Sequence, residues 1–153
     1  MLQSEVQEMV NRCAIQSLLH RYAQALDDRS FTMSLKNIFT SDCVVDLPPG
    51  MHQGFTDLDK FHATVMAPFA NTQHLITNHI IEISGDKASF RANTHVTHLI
   101  ASEGDNHDSR LFVVGGVITG VAVLMLHNWM IQNITLVPIW RQGEGPGPDM
   151  KVG

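Results

Sequence analysis

Apolar residues recur at helical spacing through the first part of the chain. Ser4 and Gln7 have the three-residue separation of a capping box at a helix start. The apolar positions that follow share one helix face: Ile15, Leu18, Leu19, Tyr22 and Leu26. The pattern predicts a helix over residues 5–26, followed by a second, short helix. The apolar face of that short helix is Leu35, Ile38 and Phe39.

The middle of the chain predicts a short strand, a break and a third helix. The strand covers residues 43–46 and stops at Leu47-Pro48-Pro49-Gly50, because proline lacks the N–H that a central strand needs. Thr56 is the predicted cap of the third helix, and Pro68 ends it. The inward side of this helix is Leu58, Phe61 and Val65.

After Pro68 the pattern changes to alternating strands. The predicted strands cover residues 74–83, 87–101, 110–126 and 129–140, and the connections are residues 84–86, a hairpin loop at 102–109 and a tight turn at His127-Asn128. Helices first and antiparallel strands afterwards predict an α+β fold, a curved sheet wrapped around the helices. One domain covers residues 1–143, and the Gly- and Pro-rich tail, 144–153, is expected to be mobile.

Composition excludes several classes of protein. The 153 residues carry a formal charge of -5 with 16% charged and 44% hydrophobic residues, which is typical of one globular domain. We expect no nucleic-acid partner, because the sequence has no basic patch. Cys13 and Cys43 lie too far apart to define a disulfide scaffold or a zinc knuckle, so reduced thiols are expected.

The uncharged stretch over residues 111–126 resembles a membrane span in hydropathy. It is short for a span and is interrupted by Gly115, Gly116 and Gly120, so we interpret it as buried strand. The N-terminus lacks the positive start and apolar stretch of a secretory signal, and a cytoplasmic protein with no membrane partner is expected. Charge-free strands must be buried on both faces or paired across an interface, which predicts a homodimer through the sheet.

The nine histidines are the candidates for chemistry, and strand alternation sorts some of them. On the strand over residues 87–101, His98 falls on the apolar face, which also holds Phe90, Ala92, Thr94, Val96 and Ile100. His95 shares the other face with Arg91 and Asn93. On the preceding strand His74, Ile76, Asn78 and Ile80 share one side and His79 lies on the other. The remaining histidines are expected in solvent: His20, His52, His62, His107 and His127.

Asp27 stands at the predicted end of the first helix, where a helix that crosses a curved sheet would project a side chain into the cavity mouth. A carboxylate bonded to one ring nitrogen of His98 would leave the other nitrogen free to take or give a proton. Two simpler interpretations remain open. Asp27 caps the helix, or His98 is a core residue bonded to a backbone carbonyl.

The ordered residues resemble the SnoaL-like group of the nuclear transport factor 2-like superfamily, which is similar to scytalone dehydratase. The resemblance rests on these segments: Tyr22 to Asp27, Ile38 to Asp42, Gly54, Thr72 to Asn78, His98, Val114-Gly115-Gly116 and 129–140. It implies a cone-shaped α+β barrel with a cavity for a small apolar substrate. It also implies proton transfer by an aspartate and histidine pair with a second histidine nearby and no cofactor, and these residues look like Asp27, His74 and His98.

The leading hypothesis is a cofactor-independent dehydratase, cyclase or isomerase of a small hydrophobic secondary metabolite, such as a polyketide, terpenoid or aromatic enol. In it Asp27 orients His98, His98 moves the proton, and His74 with Asn78 holds the developing oxyanion or departing water. The residues assigned to substrate binding are Tyr22, Phe39, Asn78, Val96 and Trp129.

Two alternatives belong to other classes. One is a non-catalytic binding or assembly subunit that keeps the cavity. The other is a metal held by His74, His98 and Asp27, which the resemblance disfavours because the family pattern is metal-free, so no metal or cofactor is expected.

Overall fold

A computed structural model describes residues 1–101 and 109–147. Within those residues the helices are α1 Leu2–Asp28, α2 Phe31–Ser34 and α3 Leu58–Met66, and the strands are β1 Phe39–Leu47, β2 Gly50–Gln53, β3 Asn71–Ser84, β4 Lys87–Ile100, β5 Arg110–Met125 and β6 Asn128–Gln142. Most of the predicted hairpin loop, 102–108, and the end of the predicted tail, 148–153, lie outside the described residues.

The strands form one curved, open sheet in the order β2-β1-β6-β5-β4-β3, which confirms the predicted α+β class. The four long strands from β3 to β6 are connected as antiparallel neighbours. The pairing of β1 with β6 is parallel, so the sheet is not purely antiparallel. No hairpin turn sets the relative direction of these two strands, since the β3–β5 segment separates them along the chain.

The prediction of a break at Pro48-Pro49 is correct, but a further strand starts directly after it. Leu47 pairs with Gly50, so the two prolines form the turn of a β1–β2 hairpin. Proline disfavours continuation of a ladder, and it is compatible with a turn between two strands.

Helix α1 crosses the sheet and packs against β3 and β6. The predicted apolar face is confirmed, because these side chains are all buried: Ile15, Leu18, Leu19, Tyr22 and Leu26. The predicted capping box is wrong. The Ser4 hydroxyl donates to the carbonyl of Met1 at 2.7 Å, and the helix already begins at Leu2.

Strand alternation predicts β4 correctly and β3 only in part. The face of β4 that holds Thr94, Val96 and His98 is buried, as predicted. In β3 the ladder to β4 shifts register between Thr77 and Ile80, and Asn78 has a φ of 56°. Asparagine tolerates this left-handed conformation, so an extra residue enters the strand as a bulge and the side chains after it change face.

Two features near α3 differ from the prediction. Asp57, in a left-handed conformation, precedes the helix, and its first residue is Leu58, so Thr56 is not the cap. His62 is fully buried although a solvated side chain is predicted. A single helix in isolation does not reveal that α2 covers this side of α3.

The outer face of the sheet carries an apolar patch that the chain itself leaves exposed. We call it the outer patch, and it consists of Leu75, Leu111, Val137, Ile139 and Trp140. Trp140 lies over Gly115, where a Cβ would fall 2.1 Å from the indole. No helix in the described ranges combines the length and apolar character needed to cross a bilayer.

Candidate functional site

A cavity lies between α1 and the inner face of the sheet. Its volume is about 90 Å³. This is room for several waters or a small organic molecule. Its wall consists of Tyr22, Leu26, Leu47, Pro48, Pro49, Val65, Met66, Phe69, His74, Ile76, Thr94, Val96, His98, Phe112, Val114, Ile118, Leu136 and Pro138. Most of these side chains are apolar, so each polar one is a candidate for recognition or chemistry.

Asp27 lies in the last turn of α1 and pairs with His74 of β3, which lines the cavity. Its Oδ1 lies 2.6 Å from His74 Nδ1, and its Oδ2 accepts a hydrogen bond from the backbone N–H of His74 at 3.0 Å. Because the carboxylate accepts the Nδ1 proton, the neutral imidazole has its lone pair on Nε2. The pair fixes both the tautomer and the orientation of His74.

Thr72 and Arg29 hold the Asp27 carboxylate in place. Thr72 Oγ1 donates to Asp27 Oδ1 at 3.0 Å, and the Arg29 guanidinium donates to the same hydroxyl oxygen at 3.0 Å. Arg29 follows α1 in a left-handed conformation and also donates to the carbonyls of Leu26 and Phe69. A chain of hydrogen bonds therefore connects the end of α1 to β3.

These hydrogen bonds keep Asp27 ionised. Burial raises the pKa of the Asp27 carboxyl group, but hydrogen bonds from the side chain and backbone of His74, the charge of His74 and the Thr72 hydroxyl together lower this pKa below its usual value. An ionised partner stabilises the imidazolium that forms when His74 takes a proton.

His98 also lines the cavity, but its ring does not contact Asp27. Its Nδ1 donates to the carbonyl of Phe112 at 2.9 Å, and its ring centroid lies 6.2 Å from that of His74. The predicted Asp27–His98 hydrogen bond is therefore wrong, since His74 occupies that position. Burial lowers the pKa of His98 to about 4, so the ring is neutral at pH 7 and its Nε2 accepts hydrogen bonds.

His62 forms a second buried pair, with Tyr22. The Nδ1–H of His62 donates to the carbonyl of Leu58 at 2.9 Å, and its Nε2 lies 2.9 Å from the Tyr22 hydroxyl. The tyrosine O–H must donate here, since Nε2 carries the lone pair. Burial lowers the pKa of His62 to about 4.

The residues assigned to substrate binding are divided between the cavity and other places. Tyr22 and Val96 line the cavity. Phe39 is buried behind it and packs edge-to-face on Tyr22. Trp129 is buried at a distance from this wall, where its indole N–H donates to Asn11 Oδ1 at 3.2 Å. Asn78 is exposed at the β3 bulge, so it cannot help His74 hold an oxyanion.

Three polar residues near the site were not assigned roles from the sequence. Thr72 and Arg29 support Asp27, and Thr94 adds a hydroxyl to the cavity wall. Thr94 could have been found, because it shares the predicted inward face with His98. Nothing local in the sequence indicates that Arg29 and Thr72 meet, since they are 43 residues apart.

No group of three histidine, cysteine, aspartate or glutamate side chains that could hold a metal ion occurs in the described ranges. The alternative metal set considered from the sequence, His74, His98 and Asp27, therefore does not form such a group. Among these, Asp27 is engaged with His74, and the Nδ1 of His98 is engaged with a backbone carbonyl.

Comparison with known sequences identifies a domain and a distant relative. A SnoaL-like domain matches residues 7–135. The chain is also 31% identical over 88 residues to the uncharacterized protein Rv2910c of Mycobacterium tuberculosis, covering 56% of this chain and 59% of that protein. The match thus spans about three fifths of the length of the curated relatives.

Solved structures share the fold at low sequence identity. A protein provisionally described as a scytalone dehydratase, from Novosphingobium aromaticivorans, has a TM-score of 0.77 and 20% identity, covering 95% of this chain and 93% of that one. A type 2 hexachlorocyclohexane dehydrochlorinase (LinA) has a TM-score of 0.78 and 18% identity, with coverages of 90% and 91%. An NTF2-like superfamily protein from Salmonella enterica has a TM-score of 0.70 and 19% identity, with coverages of 90% and 99%.

Proposed function

Because the chain belongs to the SnoaL-like family, we propose that it is a cofactor-independent acid–base enzyme of the lyase or isomerase type. Its substrate in this proposal is a small hydrophobic metabolite, and its base is the Asp27–His74 pair. One observation supports this most strongly: Asp27 Oδ1 lies 2.6 Å from His74 Nδ1, while His74 also lines an apolar cavity. That arrangement leaves Nε2 as the nitrogen that can meet a substrate.

The proposed reaction begins with proton transfer from carbon to His74. Nε2 takes the proton, the electron pair of the C–H bond moves into the substrate, and Asp27 stabilises the imidazolium. The imidazolium then returns the proton. Returned to a departing hydroxyl group it completes a dehydration, and returned to a different carbon it completes an isomerisation. The apolar wall favours both steps by keeping bulk water from the ion pair.

His98 receives a different role from the one predicted from sequence. Its Nδ1–H is committed to Phe112, so Nε2 is a hydrogen-bond acceptor beside the base. We propose that it accepts a hydrogen bond from a substrate hydroxyl group. Asp27 and His74 remain in the proposed machinery, but Asp27 orients His74 and not His98.

The solved relatives support this class of chemistry. A dehydratase removes water and a dehydrochlorinase removes hydrogen chloride, and the two names describe proteins of the same fold as this chain. Both reactions are eliminations, in which a C–H bond must lose its proton. The fold thus accommodates this reaction type, and the paired imidazole supplies a base for it.

The test is deuterium exchange into cyclohexanone, a small ketone with acidic C–H bonds. In D2O, ¹H NMR measures how much faster the α-protons exchange with protein than with buffer alone. We expect His74→Ala to lower the protein-catalysed rate by roughly 10²–10⁴-fold, which is the usual contribution of a positioned base.

His95→Ala is the matched control. His95 lies on β4, as His98 does, but its side chain is exposed on the outer face. Its replacement should leave the exchange rate unchanged. Equal rates for the wild type and His74→Ala would reject the proposal and favour the non-catalytic binding or assembly subunit.

We further propose that the protein is a cytoplasmic homodimer that covers the outer patch. The patch is apolar and exposed in the single chain, and β5 beneath it carries no charged side chain between Arg110 and Met125. Large exposed apolar patches typically mark interfaces. Light scattering at micromolar concentration should give a dimer for the wild type and a monomer for Ile139→Lys, and a monomeric wild type would contradict the dimer.

A further inference from the structure

The Thr94 hydroxyl is a buried polar group for which the fold provides no partner. Thr94 lines the cavity, the residue is 7% exposed, and its Oγ1 has no hydrogen-bond partner among the described residues. An unpaired buried hydroxyl destabilises a protein, so such groups are rare and often belong to a binding site. A ligand that bonds to this hydroxyl would remove the penalty.

The other polar side chains of the cavity wall can only accept hydrogen bonds when their rings are neutral. The Nδ1–H of His74 donates to Asp27, and that of His98 donates to Phe112. The Tyr22 O–H donates to His62. Each of these side chains therefore presents a lone pair to a ligand, and Thr94 is the one cavity-lining side chain in the described ranges with a free donor.

The sheet places Thr94 close to the proposed base. His74 pairs with Val96 across the β3–β4 ladder, and Thr94 is two residues from Val96 on the same face. His74 and Thr94 are thus diagonal neighbours, and residues in this relation are typically separated by about 7–8 Å. A C–C=O unit with one hydrogen bond at its oxygen and its C–H facing the imidazole spans a gap of this order.

The neighbouring strand faces the hydroxyl with a residue that has no side chain. Thr94 pairs with Gly116 of β5, and a Cβ on Gly116 would lie 3.1 Å from Thr94 Oγ1 and 2.8 Å from the carbonyl oxygen of Val137. A side chain at position 116 would crowd the hydroxyl group. Glycine at this position therefore keeps a side chain away from the one free donor on the cavity wall of the described residues.

We propose that Thr94 donates a hydrogen bond to a carbonyl oxygen of the substrate, which identifies the substrate class as small apolar ketones with an acidic C–H next to the carbonyl. The inference rests on the proposed function of the Asp27–His74 pair. When His74 Nε2 takes the α-proton, the electron pair of the C–H bond moves to the carbonyl oxygen and forms an enolate. The Thr94 hydrogen bond strengthens as that oxygen becomes negative.

Binding of two matched probes tests the role of Thr94 without requiring turnover. Cyclohexanone carries the carbonyl, and methylenecyclohexane has nearly the same shape with a CH₂ group in place of the oxygen. Dissociation constants come from ¹³C-methyl NMR titrations of the full chain. The ratio of the two constants is compared between variants, so that differences in probe solvation cancel.

We expect Thr94→Val to shift this ratio against the ketone by roughly three- to tenfold, the value of one hydrogen bond. Thr94→Ser, which keeps the hydroxyl, should keep the wild-type ratio. An unchanged ratio in Thr94→Val would overturn the proposal. Failure of the wild type to bind either probe at millimolar concentration would also overturn it.

Thermal stability without ligand provides a second, independent readout. If the hydroxyl is reserved for a ligand, Thr94→Val should have a Tm at or above that of the wild type, because an unpaired polar group is replaced by a methyl group. A Tm several degrees lower would show that the hydroxyl is bonded within the fold, and it would overturn the proposal.

The two proposals fail in different ways. In one outcome Thr94→Val shifts the probe ratio, but deuterium exchange is equal in the wild type and His74→Ala. That outcome would keep the ketone site and reject the base. Loss of exchange in His74→Ala with no effect of Thr94→Val on the probe ratio would keep the base and reject the ketone site.

Discussion

Two imidazoles, the buried His62 on α3 and the partly buried His74 near the start of β3, show how the same side chain is used in two ways. Both nitrogens of His62 are engaged, one with the Leu58 carbonyl and one with the Tyr22 hydroxyl. His74 uses Nδ1 for Asp27 and lies on a cavity wall. A ring with both nitrogens paired stabilises the core, whereas a ring with one nitrogen free and a carboxylate behind it can move protons.

The largest expected effect is on the exchange rate when His74 loses its carboxylate partner. Asp27→Asn removes the charge that orients His74 and stabilises its protonated form, so cyclohexanone exchange should fall by roughly 10²–10⁴-fold. His62→Gln should leave the exchange rate within a few-fold of the wild type, because His62 does not line the cavity. A comparable loss of exchange in both variants would remove the distinction between the two histidines.

The second effect is on stability as a function of pH. Burial lowers the pKa of His62, and likewise of His98, from 6.5 to about 4, so protons bind more strongly to the unfolded chain. The contribution of each ring to the free energy of unfolding is fully present above pH 6.5. It is lost as the pH falls towards 4, by about 3 kcal/mol for each ring.

Urea unfolding at several values between pH 7.5 and 4.5 measures this dependence. His62→Gln should have a shallower decline than the wild type, since one of the two titrating rings is gone. A decline of the same steepness in this variant would show that His62 is not held neutral by the fold.

A smaller effect tests the paired state of His62 directly. His62→Leu leaves the Tyr22 hydroxyl buried without its acceptor, which should lower the free energy of unfolding by about 2 kcal/mol. When His62→Leu is made in a Tyr22→Phe background, it should cost less, because no hydroxyl remains to be left unpaired. The wild type, the two single variants and this double variant form the cycle. Denaturant midpoints of the four proteins give this coupling. Additive effects would mean that the 2.9 Å contact contributes nothing.

The smallest expected effect concerns the support of Asp27. Thr72→Val removes a hydrogen bond to the carboxylate, so we expect the exchange rate to fall by about tenfold, the value of one hydrogen bond to a charged group. Thr72→Ser should restore most of the rate. Thr64→Val is a control, because the Thr64 hydroxyl on exposed α3 surface donates only to the Lys60 carbonyl. A rate unchanged by Thr72→Val would show that His74 and its backbone position Asp27 without help.

The success of prediction from sequence differs between β4 and β3. Alternation placed His98, Thr94 and Val96 on the inner face correctly, because an unbroken strand has a strict period of two. The same rule was wrong for Asn78 and Ile80, because one left-handed residue adds a bulge and reverses the faces beyond it. A bulge depends on the pairing of two strands, and the pattern of one strand does not encode it.

The sequence by itself determined the α+β class, the buried face of α1, most strand positions and the candidate residues Asp27, His74 and His98. The class, the helix face and the strand positions follow from periodicity and residue type, which act over a few neighbouring positions, whereas the set of candidate residues also rests on the family resemblance. Only the tertiary structure decided that Asp27 pairs with His74, that His98 bonds to Phe112 and that His62 is buried. Each of these depends on the distance between segments far apart in the chain, and hydrogen bonds of about 3 Å are set by packing and not by spacing in sequence.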